Sequence, residues 1–158
     1  GSVVHTWRRW AAAGRVAPLT DPSATRFWMT VDQAVDLVLA AMRDGRGGEI
    51  MVPRLRAMTL AGLADALGVS TTAPLGLRPG GEKRHEELLA AEDVWRTYEG
   101  PSGYVVAPEL HPWCVTRPWS DAGLAQPPAD LDYRSDRVEQ IPVPEMREWL
   151  ATMPEEEE

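Results

Sequence analysis

One cysteine and one lysine occur in 158 residues. Cys114 alone excludes an intrachain disulfide and makes a reducing, cytoplasmic setting the expectation. Apart from Lys83 the basic residues are arginines, and they form no basic stripe. That argues against nucleic acid as a partner, because neutralising phosphates needs clustered Lys and Arg. No apolar stretch approaches the roughly 18 to 20 residues that cross a bilayer. The N-terminus also lacks the apolar core of a signal peptide. The expectation is a soluble chain with no membrane partner.

The composition itself is ordinary for a globular protein, with 44% hydrophobic and 25% charged residues. The net charge of -8 owes half its size to Glu155, Glu156, Glu157 and Glu158, a terminal run that reads as a solvated end. The length suits one domain or a substantial piece of a larger one.

Val3, Val4, Trp7, Trp10 and Ala11 recur at helical spacing, which predicts a short helix over Val3–Ala13 ended by Gly14. Arg15–Thr25 reads as an extended or looped connector, with Pro18, Asp21 and Pro22 breaking any helix. Thr30 and Gln33 form a capping box at the start of a second helix. Its apolar face is Val31, Ala34, Val35, Val38 and Met42, and Gly45 stops it. Glu49–Val52 is a short apolar run that suits a strand buried on both faces, as in a parallel sheet. Thr59 caps a third helix carrying Leu60, Leu63, Ala64 and Leu67, with Gly68 past its end. Leu75–Gly81 is expected to be a strand end entering a Pro-Gly turn. Glu82–Glu92 is expected to be helical, Gly103–Ala107 a strand, and Pro144–Thr152 a short closing helix. Glu109–Asp132 is rich in Pro, Trp and Gly and has no period. There is no internal repeat.

Several segments carry a family resemblance. TDPSATRFWMT at Thr20–Thr30 resembles a segment of CapD-like polysaccharide-biosynthesis proteins, which are extended short-chain dehydrogenase/reductases. The likeness continues through GGEIMVP at Gly47–Pro53 and resumes at LGLRPGGEKRHEEL, Leu75–Leu88. It returns weakly at DYRSDRVEQIPVPEMREWL, Asp132–Leu150. Within the family the nearer likeness is to inverting UDP-N-acetylglucosamine 4,6-dehydratases. Two departures stand out: Gly80 and Gly81 occupy a turn where the family has one Gly, and Trp113–Pro128 matches no family segment.

The resemblance implies an α/β fold: a C-terminal fragment of an extended Rossmann-type reductase, with a late sheet strand, flanking helices and a small substrate lobe. It lacks the N-terminal dinucleotide-binding half. The expected organisation is a sugar-nucleotide-binding part over 1–108, a Pro/Trp-rich loop over 109–132, a C-terminal segment with a short helix over 133–154 and an acidic tail over 155–158. A strand separated from its sheet neighbours would leave backbone groups unsatisfied. The isolated chain is therefore expected to be weakly stable or paired, either with another copy or with a separate dinucleotide-binding half.

Family enzymes abstract hydride with bound NAD or NADP, using a Tyr-x-x-x-Lys pair and a glycine-rich turn that holds the pyrophosphate. Neither motif is present: the residue four before Lys83 is Pro79, and no G-x-G-x-x-G follows an expected strand. No cofactor is expected to bind this chain alone, and no catalytic residue is assigned.

The residues carried over from the family are those of a UDP-sugar site. Arg26 takes the place of an Arg that holds the diphosphate, for which a planar fork of donors is suited. The competing reading is a structural Arg paired with Asp21 or capping a loop. Arg78 and Glu82 match the Arg and Glu of the family's RPGEK turn; the competing reading is a surface ion pair. Ser2 and Val3 flank the nucleotide by the same analogy. Phe27, Trp28 and Met29 read as core rather than as a stacking platform, and the seven Trp as core and interface residues. His85 with Glu86 begins a zinc-protease signature, but Leu89 stands where the second His is needed. His111 and Cys114 have metal-like spacing without partners, so no metal is expected.

Three functions fit these residues: the UDP-sugar-binding part of a 4,6-dehydratase, a stand-alone non-catalytic binder of UDP-sugars, and an interaction module with a dead site.

Overall fold

The structure, a computed structural model, describes residues 3–109 and 119–153. The helices are α1 (Val3–Ala12), α2 (Val31–Asp44), α3 (Leu60–Leu67) and α4 (Val143–Thr152). The strands are β1 (Thr25–Trp28), β2 (Ile50–Pro53), β3 (Arg56–Thr59), β4 (Glu87–Leu89), β5 (Thr97–Gly100), β6 (Gly103–Val106) and β7 (Tyr133–Arg134). Two 3-10 helices, Ala91–Arg96 and Trp119–Ala122, complete the described elements. Among the described residues no helix is long and apolar enough to cross a membrane. The chain forms two compact units, one within the segments Gly1–Phe27, Arg56–Glu86 and Val138–Glu158, the other within Trp28–Leu55 and Glu87–Arg137.

In the first unit α3 packs on both α1 and α4. Their contact buries Val4 and Trp7 of α1, Leu63 of α3, and Met146 and Leu150 of α4. The ends of α3 follow from local chemistry. The Thr59 hydroxyl accepts the Gly62 N–H at 3.0 Å, and Gly68 closes the helix in the left-handed conformation. β3 pairs with β1. On its other edge Ala57 donates to the Glu139 carbonyl at 3.1 Å and accepts from the Ile141 N–H at 2.7 Å. The neighbouring Arg56 is held by Glu145 of α4 and by Glu139 at 3.3 Å, and its guanidinium lies over the Trp149 ring at 5.3 Å.

That ion pair gives the unit a pH dependence of known sign. Hydrogen bonding to Arg56 holds the Glu145 carboxyl below the usual range. A depressed carboxylate contributes stability that is fully present above its unfolded pKa and is lost as pH falls through the folded value. Glu145→Gln removes that contribution. Thermal unfolding between pH 7 and pH 3 is expected to show a shallower acid decline for Glu145→Gln than for the parent. Equal slopes would mean the pair contributes nothing to acid stability.

In the second unit β2, β6 and β5 form an antiparallel sheet in that order. β5 and β6 are a hairpin closed at Pro101–Ser102, with Gly100 opposite Gly103. β4 and β7 pair separately with a register shift between Glu87 and Leu89. Tyr133 ties the unit together. Its hydroxyl donates to the Pro53 carbonyl and accepts from the Leu55 N–H, both at 2.7 Å, and its ring lies 5.0 Å from that of Tyr104.

Several expectations require correction. The strand read at Glu49–Val52 is β2, an edge strand paired antiparallel, with Val52 buried and Ile50 58% exposed, so it is not buried on both faces. Its backbone is satisfied on one side by β6 rather than left without a partner. Pro53, which lacks an N–H, is tolerated because the strand lies at an edge. Glu82–Glu92 is not a helix: the stretch runs extended into β4 and then a 3-10 turn. There the Thr25 N–H donates to the Arg84 carbonyl at 2.9 Å, and Arg84 reaches Asp21 at 2.8 Å. These tertiary partners hold the stretch extended. Leu75–Gly81 forms no named strand, although Leu75 and Gly76 donate to the carbonyls of Leu19 and Thr20, both at 2.9 Å. Gly45 does end α2, but in an extended conformation; a Cβ there would meet the Ala41 carbonyl oxygen.

The capping box of α2 is present with both of its hydrogen bonds, Thr30 N–H to Gln33 at 2.9 Å and Gln33 N–H to Thr30 at 3.2 Å. Its apolar face is another matter. No residue of α2 is buried, and Val31 and Met42 are 77% and 78% exposed, with Val35, Val38 and Leu39 also open. Phe27, Trp28 and Met29 are half-buried rather than core. Among the described tryptophans Trp7 and Trp119 are buried and Trp95 is exposed. His111, Cys114 and Trp113 lie outside the described residues.

Candidate functional site

The site lies within the first unit and is built by three pieces of backbone. β1 carries Arg26. The stretch after α3 runs beside residues 17–20, with Thr72 N–H donating to the Ala17 carbonyl at 3.0 Å, and this register brings the turn from Leu77 to Glu82 over Thr20. The bridge between Thr25 and His85 then returns the chain to β1, fixed by the Thr25 hydroxyl against His85 Nδ1 at 2.8 Å.

Arg26, Arg78 and Glu82 are thereby brought together. Arg26 Nη1 donates to the carbonyls of Thr25 and Arg84, at 2.8 and 3.1 Å. Its other nitrogens face carboxylates, Nη2 toward Glu82 at 3.6 Å and Nε toward Glu86 at 3.3 Å. Asp21 is not its partner, since that carboxylate binds Arg84. Glu82 accepts from Arg78 three times: from the backbone N–H at 2.8 Å, and from Nε and Nη2 at 3.3 Å each. The Thr20 hydroxyl also donates to it at 3.2 Å. These donors, the Arg78 backbone first, hold the Glu82 carboxyl below its usual range. The ion pair named as the competing reading for Arg78 and Glu82 therefore exists.

Arg26, Arg78, Pro79 and Glu82 line two adjoining grooves. One, of about 620 Å³, is polar and adds Lys83 and Glu86. The other, of about 640 Å³, has an apolar wall that includes Val3, Trp7, Trp10, Leu75 and Leu77. Val3 thus lies on the same groove as both arginines, whereas Ser2 is outside the described residues. The wall of Trp10, Leu75 and Leu77 and the Thr20 hydroxyl were missed by the sequence reading. The spacing of Trp7 and Trp10 on one face of α1 was the available signal for part of it.

The two described turns that join a strand directly to an α-helix lack the glycine-rich cradle of a dinucleotide. A pyrophosphate is held where a glycine-rich turn joins a strand to a helix. Here β1 reaches α2 through Met29 and Thr30, and β3 runs directly into α3, with no glycine in either turn.

Comparison with known proteins agrees with this fold. The model of a family described as polysaccharide biosynthesis protein matches residues 1–108. A UDP-N-acetylglucosamine 4,6-dehydratase (inverting) from Campylobacter jejuni is 35% identical over 70% of this chain and 33% of its own length. A UDP-glucose 4-epimerase from Rickettsia typhi is 30% identical over 97% of this chain and 46% of its own. Among solved structures, the X-ray structure of Pen from Bacillus thuringiensis superposes with a TM-score of 0.77 at 25% identity, over 96% of this chain and 44% of that one. The chain therefore spans less than half the length of these relatives. Its mixed α/β fold corresponds to part of a larger reductase-type fold, and the chain belongs to the polysaccharide biosynthesis protein family.

Proposed function

We propose that this chain supplies the UDP-sugar-binding portion of a sugar-nucleotide 4,6-dehydratase of glycan biosynthesis and does not catalyse dehydration by itself. The observation that carries this reading is the convergence of Arg26 and Arg78 on a groove with one charged end and one apolar, aromatic-lined end. A nucleotide sugar has the same polarity: a diphosphate that needs guanidinium forks, flanked by rings that bury apolar faces. Val3, Arg26, Arg78 and Glu82 form the proposed site, and the dehydratase and epimerase relatives make UDP-sugars the ligand class to test. NAD or NADP would enter through residues that this sequence does not contain.

The test is a calorimetric titration of the folded chain with UDP-N-acetylglucosamine and UDP, with NADP as comparator. Saturable heat from both uridine ligands and none from NADP is the expected result. Binding of NADP alone would overturn the reading.

The open face of α2 supports a partner for this portion, either a dinucleotide-binding half or another copy. Contiguous exposed apolar surface of this kind marks an association site. Light scattering on the isolated chain is expected to give a mass above that of the 17.4 kDa monomer. The double substitution Val38→Lys and Met42→Lys should restore monomer mass. A monomeric parent would leave only the dinucleotide-binding half as occupant.

A further inference from the structure

We infer that Lys83 is the charge-selecting residue of the groove, its ammonium meeting the ligand's diphosphate and favouring ligands with more negative charge. The inference rests on the UDP-sugar reading of the same groove and adds a residue to that site.

The first observation is which cations are already matched. Five charged residues line the polar groove: Arg26, Arg78, Lys83, Glu82 and Glu86. The Arg26 guanidinium faces Glu82 and Glu86, and that of Arg78 faces Glu82. Beside them Arg84 is matched by Asp21 at 2.8 Å. Lys83 is different. It is exposed, and among the described residues its ammonium has no hydrogen-bond or ion-pair partner. Three cations stand against two carboxylates, so the groove holds one surplus positive charge, and the unmatched cation is Lys83.

The second is the field around that charge. The chain as a whole carries a net charge of -8, which repels an approaching anion. A local positive surplus at the groove opposes that repulsion where a diphosphate would dock. Neutralising Lys83 leaves the charges lining the polar groove balanced.

The third is how Lys83 is mounted. On one side of it the Glu82 carboxylate accepts from the Arg78 N–H at 2.8 Å and from the Thr20 hydroxyl at 3.2 Å. On the other, the Arg84 carbonyl accepts from the Thr25 N–H at 2.9 Å and from Arg26 Nη1 at 3.1 Å. The residues flanking Lys83 are thus tied in place while its own head group is unclaimed. A compact ammonium with three donors on a four-carbon stem suits phosphate oxygens that a guanidinium fork leaves open.

Selectivity follows from the ligand's charge. Uridine is neutral, whereas UDP and pyrophosphate carry several negative charges. Removing the ammonium should weaken the charged ligands and leave uridine alone.

The experiment is calorimetric titration of the parent chain, Lys83→Gln and Lys83→Arg with UDP, inorganic pyrophosphate and uridine, at low and at physiological salt. Circular dichroism checks folding. Lys83→Gln is expected to bind UDP and pyrophosphate about three- to tenfold more weakly than the parent, with uridine unchanged. The loss should shrink as salt rises, and Lys83→Arg should recover most of the affinity. Unchanged affinity of Lys83→Gln for UDP and pyrophosphate, or an equal loss for uridine, overturns the role of Lys83 and leaves the UDP-sugar site standing. Absence of binding by all three folded proteins overturns both. Acetylation of the parent by acetic anhydride tests contact without any variant: an N–C bond forms at the amine as acetate and the amine proton leave. Lys83 is the only lysine, so peptide mass mapping reports it unambiguously. Saturating pyrophosphate should slow its acetylation, and an unchanged rate overturns the contact.

Discussion

Gly103→Ala is expected to destabilise the chain by about 2–4 kcal/mol, lowering the thermal midpoint by roughly 5 to 15 °C for a protein of this size. Gly103 opens β6 with φ of 144°, a conformation that side-chain-bearing residues rarely adopt. Surroundings add to the strain. A Cβ at this position would meet the Val52 carbonyl oxygen, the Pro53 Cα at 3.0 Å and the Arg54 nitrogen at 3.1 Å. All three are backbone atoms of or beside β2, so relief requires parting β2 from β6. Gly100, its partner across the hairpin, is the control. A Cβ there meets the end of the Leu124 side chain at 2.5 Å, which can rotate away. Gly100→Ala should therefore cost distinctly less. Equal losses in differential scanning calorimetry would mean that backbone contact with β2 is not what selects glycine at 103.

Arg26→Ala should lower the affinity for UDP-N-acetylglucosamine by about ten- to a hundredfold, the range for losing charged hydrogen bonds to an anion. The same change removes the Nη1 bonds to the Thr25 and Arg84 carbonyls, so part of the loss could arise from a displaced β1. Arg26→Lys separates the two contributions. Lysine retains the charge but not the fork, and it cannot serve two carbonyls and a diphosphate together. An affinity for Arg26→Lys between those of the parent and Arg26→Ala, with thermal midpoints of the variants close to each other, would assign the effect to ligand contact. Full affinity in folded Arg26→Ala would exclude Arg26 from the site.

What the sequence made legible was the local chemistry. Thr30 with Gln33, Thr59 with Gly62, and Gly68 act within a few residues of themselves, so their spacing gives the starts of α2 and α3 and the end of α3 directly. The short strands were not legible. β1, β3 and β7 are two to four residues long, and each exists because of a partner far along the chain. The failed helix at Glu82–Glu92 shows the same limit. The stretch is expected to be helical, yet Glu82 and Arg84 are claimed by Arg26 and Asp21, some sixty residues away. Periodicity likewise identified the apolar stripe of α2 but carried no information about what covers it. In the site, Arg26, Arg78 and Glu82 were legible through motif context. The Trp10, Leu75 and Leu77 wall was not, because it depends on the register between residues 71–76 and 17–20.

The interleaving of the two units bears on how the chain is made. During synthesis the α1 and α3 surfaces emerge long before Met146 and Leu150 of α4, which complete their packing. Closing contacts over such separations is slow, because the loop entropy must be lost before the contacts form. The hairpin of β5 and β6, by contrast, joins neighbours and can form as soon as both strands leave the ribosome. Nascent chains should therefore carry a formed β5–β6 hairpin while the first unit is unfinished, with the Leu63 surface open to chaperones until the last turn of α4 is released.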